Sequence, residues 1–185
     1  MKDEKRSVFT VREMVFTAIC AALICILAPR SVPVGAIPIS LGTFAIYFSA
    51  ALLGGKRGTV AVIVYIMLGM VGLPVFTAMR GGVAVLFGAT GGYIIGYIPL
   101  ALLTGVFSDM KSKLHWTMPL GMVLGTVALY TFGTAWYMIM SGSTLAAALL
   151  ACVVPFLAFD AVKMVLATLL AVVLRARLSR YLDNK

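Results

Sequence analysis

Asp160 and Lys163 stand three residues apart in an otherwise apolar run toward the end of a 185-residue chain. At that spacing two side chains share one face of a helix, so a carboxylate acceptor and an ammonium donor sit side by side. If the helix ends near Leu174, Lys163 lies about 16 Å along its axis at 1.5 Å per residue, near the middle of a bilayer. Asp160 is then roughly one turn further out. A charge at that depth costs at least about 2.5–3.5 kcal/mol even on lenient insertion scales, so the pair should face a cavity or a partner. One reading is a self-neutralised pair that clips helices together. The favoured one is a polar anchor for a mostly apolar ligand, because ionisable groups inside membranes are usually functional.

Other residues surround that anchor in sequence terms. Gly88, Gly92 and Gly96 recur every four residues, with Gly91 beside them. Such a small-residue face lets helices pack closely, and a bare backbone around Gly91, Gly92 and Tyr93 would also let a ligand approach. Tyr93 and Tyr97 follow at helical spacing as pocket-lining candidates. Arg80 lies in the glycine-containing loop 77–82. A solvated loop residue is its commoner fate, yet Asp160 and Lys163 cancel, so Arg80 would supply the positive charge that a monoanionic ligand needs. Ala18 and Ala22, with Ala21, form a small-xxx-small pair where another helix can come close.

Catalytic machinery is not evident. Gly54-Gly55-Lys56-Arg57 does not satisfy GxxxxGK[ST], the pattern that cradles nucleotide phosphates. His115 stands beside Trp116 with no nucleophile set against it, and neither HExxH nor GxSxG occurs. Cys20, Cys25 and Cys152 lie in apolar runs without CxxC spacing, so they read as small hydrophobes rather than metal ligands or disulfides. No cofactor, metal site or enzymatic activity is expected.

The elements that must position these residues are membrane helices. The chain is 62% hydrophobic and 11% charged, with mean hydropathy +1.08, far from the half-apolar, quarter-charged balance of soluble domains. Apolar runs of spanning length are expected over 11–28, 36–53, 59–76, 83–107, 117–140 and 155–176. Thr10 and Glu13 form a capping box before the first. The stretch 33–38 carries two prolines, and 54–58 reads as a turn. Pro155 divides the last long apolar stretch into a short leading helix and the span proper; the segment before it leaves five or seven spans open. With the N-terminus inside, 12 of the 15 basic residues fall on inner segments: Lys2, Lys5, Arg6, Arg12, Lys56, Arg57, Lys111, Lys113, Arg175, Arg177, Arg180 and Lys185. Only Arg30 and Arg80 fall outside. That bias predicts an all-α membrane protein of six spans with both termini cytoplasmic, a single domain without a cleavable signal peptide. The formal charge of +9 then reflects orientation and not nucleic-acid binding.

Several stretches together resemble the BioY family, the biotin-specific substrate-binding (S) components of energy-coupling-factor (ECF) transporters. They are 37–41 (Ile-Pro-Ile-Ser-Leu), 50–54 (Ala-Ala-Leu-Leu-Gly), 68–76 (Leu-Gly-Met-Val-Gly-Leu-Pro-Val-Phe), Arg80-Gly81-Gly82-Val83 leading into 88–93 (Gly-Ala-Thr-Gly-Gly-Tyr), and Pro155-Phe156 through Asp160 and Lys163. Their order and spacing cover most of the chain. Four positions depart from the pattern: Gly42 stands where a Gln is expected, Ala89 replaces a usual Pro, and Ala158-Phe159 replaces Pro-Gly.

The resemblance implies a six-helix S component of the bacterial cytoplasmic membrane that binds biotin near its outer face under covering loops. The family's last-helix Asp and Lys fall on Asp160 and Lys163, and its polar position before the paired glycines on Arg80. Its small-residue docking motif, which meets a transmembrane coupling protein joined to two cytoplasmic ATPases, falls on Ala18 and Ala22. In this scheme Asp160 accepts a ureido N–H, and Lys163 donates to the ureido oxygen or orients the aspartate. Tyr93 packs on the ring and Arg80 lies near the tail carboxylate. Alternatives are an S component for another vitamin, a stand-alone proton-coupled transporter using Asp160 as relay, and a purely structural membrane subunit.

Overall fold

The computed structural model describes residues 10–32, 37–110 and 116–182, with side chains as far as residue 177. Lys2, Lys5, Arg6, Lys111, Lys113, His115 and Lys185 lie outside the described residues, as do 33–36 and the side chain of Arg180. Among the described residues, eight helices appear in the order α1 (Val11–Leu27), α2 (Gly42–Leu53), α3 (Gly55–Met70), α4 (Val83–Leu86), α5 (Gly91–Asp109), α6 (Thr117–Ser141), α7 (Leu145–Cys152) and α8 (Val154–Leu182). A two-stranded antiparallel hairpin, β1 (Ser31–Val32) and β2 (Ile39–Ser40), precedes α2. A 3-10 turn, Thr77–Met79, precedes α4.

The polar contacts at one end of the bundle fix the helix directions. The Thr10–Glu13 capping box opens α1, and Glu13 pairs with Arg57 in the first turn of α3. Asp109, the last residue of α5, accepts the Gly55 N–H at 2.8 Å and pairs with Arg175 of α8 at 2.7 Å. Arg175 also donates to Ser108, whose hydroxyl donates to Ala51 O near the end of α2. So α1 and α3 begin at this end, whereas α2, α5 and α8 finish there, and α6 starts beside it. Long helices α1, α2, α3, α5, α6 and α8 alternate in direction, with α4 and α7 confined to the far end. Arg12, Lys56, Arg57, Arg175 and Arg177 lie toward the capped end.

Helix α2 is central. Ten of its twelve residues are buried, and it packs on α1, α3, α5 and α8. Small residues let the others close around it. Gly92 and Gly96 of α5 face Trp136 and Leu129 of α6, while Gly121 and Gly125 of α6 face Phe107 and Leu100 of α5. A close approach to the backbone of another long helix is at Gly105 of α5, where a Cβ would fall 2.5 Å from Gly54 C and Gly55 N. Backbone cannot yield as a side-chain tip can. Gly105→Val is therefore expected to lower the unfolding midpoint in detergent by about 5–10 °C, the cost of overpacking a closed contact. A melt followed by tryptophan fluorescence checks this, and an unchanged midpoint would show that α5 tolerates displacement.

Among the described residues, three helices are long and apolar enough to cross a membrane: α5, α6 and the Val154–Arg177 part of α8. The outward residues of α8, among them Leu157, Phe159, Val162, Val165, Leu166 and Leu169, are all exposed. Apolar surface of that extent belongs against lipid, and the chain is a membrane protein.

Four boundaries differ from the sequence expectation. The run over 36–53 is helical only from Gly42, because Ile39 and Ser40 pair with Val32 and Ser31 and Pro38 favours extended backbone before it. Helix α3 starts at Gly55, not 59, since the turn 54–58 reduces to Gly54 alone at φ +84°. That left-handed backbone suits glycine, and the Asp109 carboxylate occupies the space of any Cβ there. Helix α3 also stops at Met70, short of 76: Gly72 turns the chain at φ +110°, and Phe76 folds back over Gly69 with its ring edge-on to Tyr65. The run 83–107 splits into α4 and α5, held apart where Trp136 Nε1–H donates to Gly88 O at 2.9 Å. The expected break before Pro155 is present, between α7 and α8.

Candidate functional site

At the end of the bundle opposite Arg175 lies a cavity of about 40 Å³. The hairpin side contributes Ile37, Pro38 and Ser40, the start of α2 contributes Thr43, and the 3-10 turn contributes Thr77. Thr90, Tyr93, Ile94 and Tyr97 line it from α5 and the residue before it, Leu129 and Tyr130 from α6, and Phe156, Asp160 and Lys163 from α8. Its wall is mostly aliphatic and aromatic, with polar groups converging on the α2–α8 side, which is the usual make-up of a small-molecule site.

The polar groups form a closed circuit. Lys163 Nζ donates to Asp160 Oδ1 at 3.0 Å, to Thr43 Oγ1 at 3.0 Å and to the Ser40 carbonyl at 2.8 Å. The Thr43 hydroxyl itself donates to Asp160 Oδ1 at 3.1 Å. Tyr130 donates to the other carboxylate oxygen, Oδ2, at 2.7 Å. Asp160 is 2% and Lys163 8% exposed, so both ions are largely stripped of water. Coulomb attraction alone seldom repays that, and buried pairs persist where further hydrogen bonds complete the shell. Here Ser40, Thr43 and Tyr130 complete it.

The elements explain why these atoms meet. Ser40 closes β2, so its carbonyl points away from the hairpin partner, and Thr43 lies in the first turn of α2, one residue beyond a buried glycine. At Gly42, which stands where a Gln is expected, Ala28 Cβ and Ser40 Oγ would lie 3.1 and 3.2 Å from a Cβ, so a side chain there needs its neighbours to shift by a few tenths of an ångström. The adjacent Thr43 supplies a polar group instead. Farther from the cavity, Thr126 commits its proton to Met122 O at 2.8 Å, so Tyr47 donates to Thr126 at 2.5 Å. Tyr93 reaches Cys152 O at 3.3 Å, with its ring over Gly133. The cysteines are free, Cys20 and Cys152 buried and Cys25 half-buried.

Of the residues singled out from sequence, Asp160, Lys163, Tyr93 and Tyr97 converge on the cavity. Gly91 and Gly92 are outside its lining. Leu86 O occupies the space beside Gly91, and Trp136 and Phe132 O the space beside Gly92, so their bare backbone serves helix packing rather than an approach route. Arg80 is exposed and outside the lining, three residues beyond Thr77, which belongs to it. Ala18 and Ala22 are exposed on the outer side of α1, opposite the buried Thr17, Cys20, Ala21 and Ile24. Ser40, Thr43, Thr77 and Tyr130 carried no sequence signal of their own beyond being polar in apolar runs.

The chain is similar to known proteins along most of its length. The BioY family model matches residues 1–180. The biotin transporter BioY of Thermotoga maritima is 37% identical over 165 residues, which span 89% of this chain and 96% of the relative. Biotin transporter BioY2 of Lactococcus lactis is 31% identical over 173 residues, 90% and 93% of the two chains. Among solved structures, the S-component for biotin from an ECF-type ABC transporter superposes with a TM-score of 0.83 at 28% identity, over 95% of each chain. With the family matched over nearly its whole length and relatives above 30% identity across it, the chain belongs to the BioY family.

Proposed function

We propose that this chain is the biotin-binding S component of an ATP-driven ECF uptake transporter, a six-span protein of the cytoplasmic membrane with both termini inside. The observation that carries this reading is the buried circuit of Asp160, Lys163, Thr43 and Tyr130 at the edge of an apolar cavity, in a fold shared with a biotin S component. Biotin matches it: the ureido edge is polar, the sulfur ring and aliphatic tail are apolar, and the tail ends in a carboxylate. Asp160 accepts a ureido N–H, Tyr93 packs on the ring, and Arg80 meets the tail carboxylate at the mouth. A cavity of about 40 Å³ admits only a few waters. The covering hairpin and the 77–80 turn must therefore yield as the ligand enters, and Lys163, bonded to Ser40 O, ties the hairpin back to α8.

Transport itself falls to partners in this scheme. Ala18 and Ala22 on the exposed side of α1 seat the transmembrane coupling protein, and two ATPase subunits supply the energy. Isothermal titration of the purified chain in detergent against a vitamin panel tests the ligand. Biotin is expected to bind at one site per chain and to copurify from cells grown with it. Binding of a different vitamin and not biotin would reassign the ligand. Uptake into liposomes by this chain alone, driven by a pH gradient, would replace the ECF scheme with a proton-coupled one.

A further inference from the structure

The hydrogen-bond arithmetic around Asp160 is uneven. A lysine ammonium has three protons, and Lys163 spends them on Asp160 Oδ1, Thr43 Oγ1 and Ser40 O. Thr43 spends its hydroxyl proton on Asp160 Oδ1 and Tyr130 spends its own on Oδ2. Every donor of the circuit is thus committed inside the protein. A carboxylate offers about four lone-pair positions. Oδ1 has two filled, and Oδ2 has one filled and one open. The Tyr130 oxygen, its O–H directed at Oδ2, retains lone pairs as well. Asp160 and Tyr130 both border the cavity.

We propose that Asp160 Oδ2 and the Tyr130 hydroxyl oxygen together form an acceptor pair that selects a ligand edge bearing N–H donors, with Tyr130 as a specificity-determining residue and Lys163 as a positioning residue. The proposal rests on the biotin reading above and deepens it. The circuit meets the ureido group through an N–H and not through its carbonyl oxygen, for which no donor is free. Lys163 acts by holding the carboxylate and Ser40 in place. A carboxylic or carbonyl edge turned toward this wall would meet only lone pairs, so the tail of the ligand points elsewhere. Polar discrimination of this kind is strong, because a buried group left unpaired incurs its full desolvation penalty.

The test is isothermal titration of the full chain and of Tyr130→Phe with biotin and with two biotin analogues, each methylated on one ureido nitrogen. Biotin affinity is expected to fall about tenfold in Tyr130→Phe, read at a temperature where a melt shows the variant folded in detergent. The analogue methylated on the N–H that faces the pair is expected to bind the unaltered chain weakly and to be insensitive to Tyr130→Phe. The other analogue should follow biotin. Equal losses for all three ligands would make Tyr130 a merely structural residue, and an unchanged biotin affinity would remove it from recognition; either overturns the proposal. Should Tyr130→Phe not fold, the unaltered chain still decides: both methylated analogues binding as well as biotin overturns the N–H assignment. Absence of biotin binding by the unaltered chain defeats the biotin reading itself, a result distinct from the others.

Discussion

Asp160→Asn is expected to weaken biotin binding by about a hundredfold or more, the largest single-residue effect at the site. Two consequences add. The substitution removes the counter-charge of Lys163, which stays 8% exposed with its ammonium held by Ser40 O and Thr43 alone. Breaking a buried pair by removing one partner costs about 3–5 kcal/mol in general, so the variant should also melt earlier in detergent. The amide further turns an N–H2 group toward Tyr130 or toward the ligand, where the native carboxylate offered only lone pairs. An arriving N–H then meets a donor. Titration with biotin reads the first consequence and a melt reads the second. Wild-type affinity in a folded Asp160→Asn protein would mean that the cavity wall around α8 is not where biotin binds.

The sequence exposed half of this circuit and hid the other half, for a physical reason. Asp160 and Lys163 were legible because a charged pair at helical spacing is conspicuous in an apolar run and costly unless used. Their partners come from far along the chain. Thr43 and Ser40 are 117 to 123 residues away and Tyr130 is 30 away, and a lone Thr, Tyr or carbonyl in an apolar stretch is unremarkable until the tertiary fold aims it. Helix existence was legible in the same sense, since apolar length marks it, whereas the breaks were not. A continuous apolar run cannot announce that Ile39 and Ser40 form a strand edge, nor that Asp109 caps Gly55 from the far end of α5. Pro155, by contrast, carries its own signal. The paired glycines at 91 and 92 illustrate the ambiguity of bare backbone: close packing and ligand approach leave the same letters, and only the position of Trp136 and Leu86 separates them.

Replacing both Ala18 and Ala22 with tryptophan is expected to abolish ATP-driven biotin uptake while leaving affinity for biotin within about twofold, as for exposed substitutions remote from a site. Both alanines are exposed, one turn apart, on a face of α1 shared with the exposed Val15, Ile19 and Ile26. The flanking residues are branched, so the alanines form a low channel between taller side chains. Close helix approach in lipid depends on such small residues, because apolar burial gives helices no advantage over lipid tails there. Two indoles would fill the channel and hold a partner helix away. The cavity meanwhile lies against α2, α5, α6 and α8, and no residue of α1 lines it. The two measurements should therefore separate: reconstituted uptake with the coupling protein and ATPases drops to background, and titration of the isolated chain does not move. Loss of biotin binding in this variant would instead tie α1 to the site, and undiminished uptake would place the docking face on another helix.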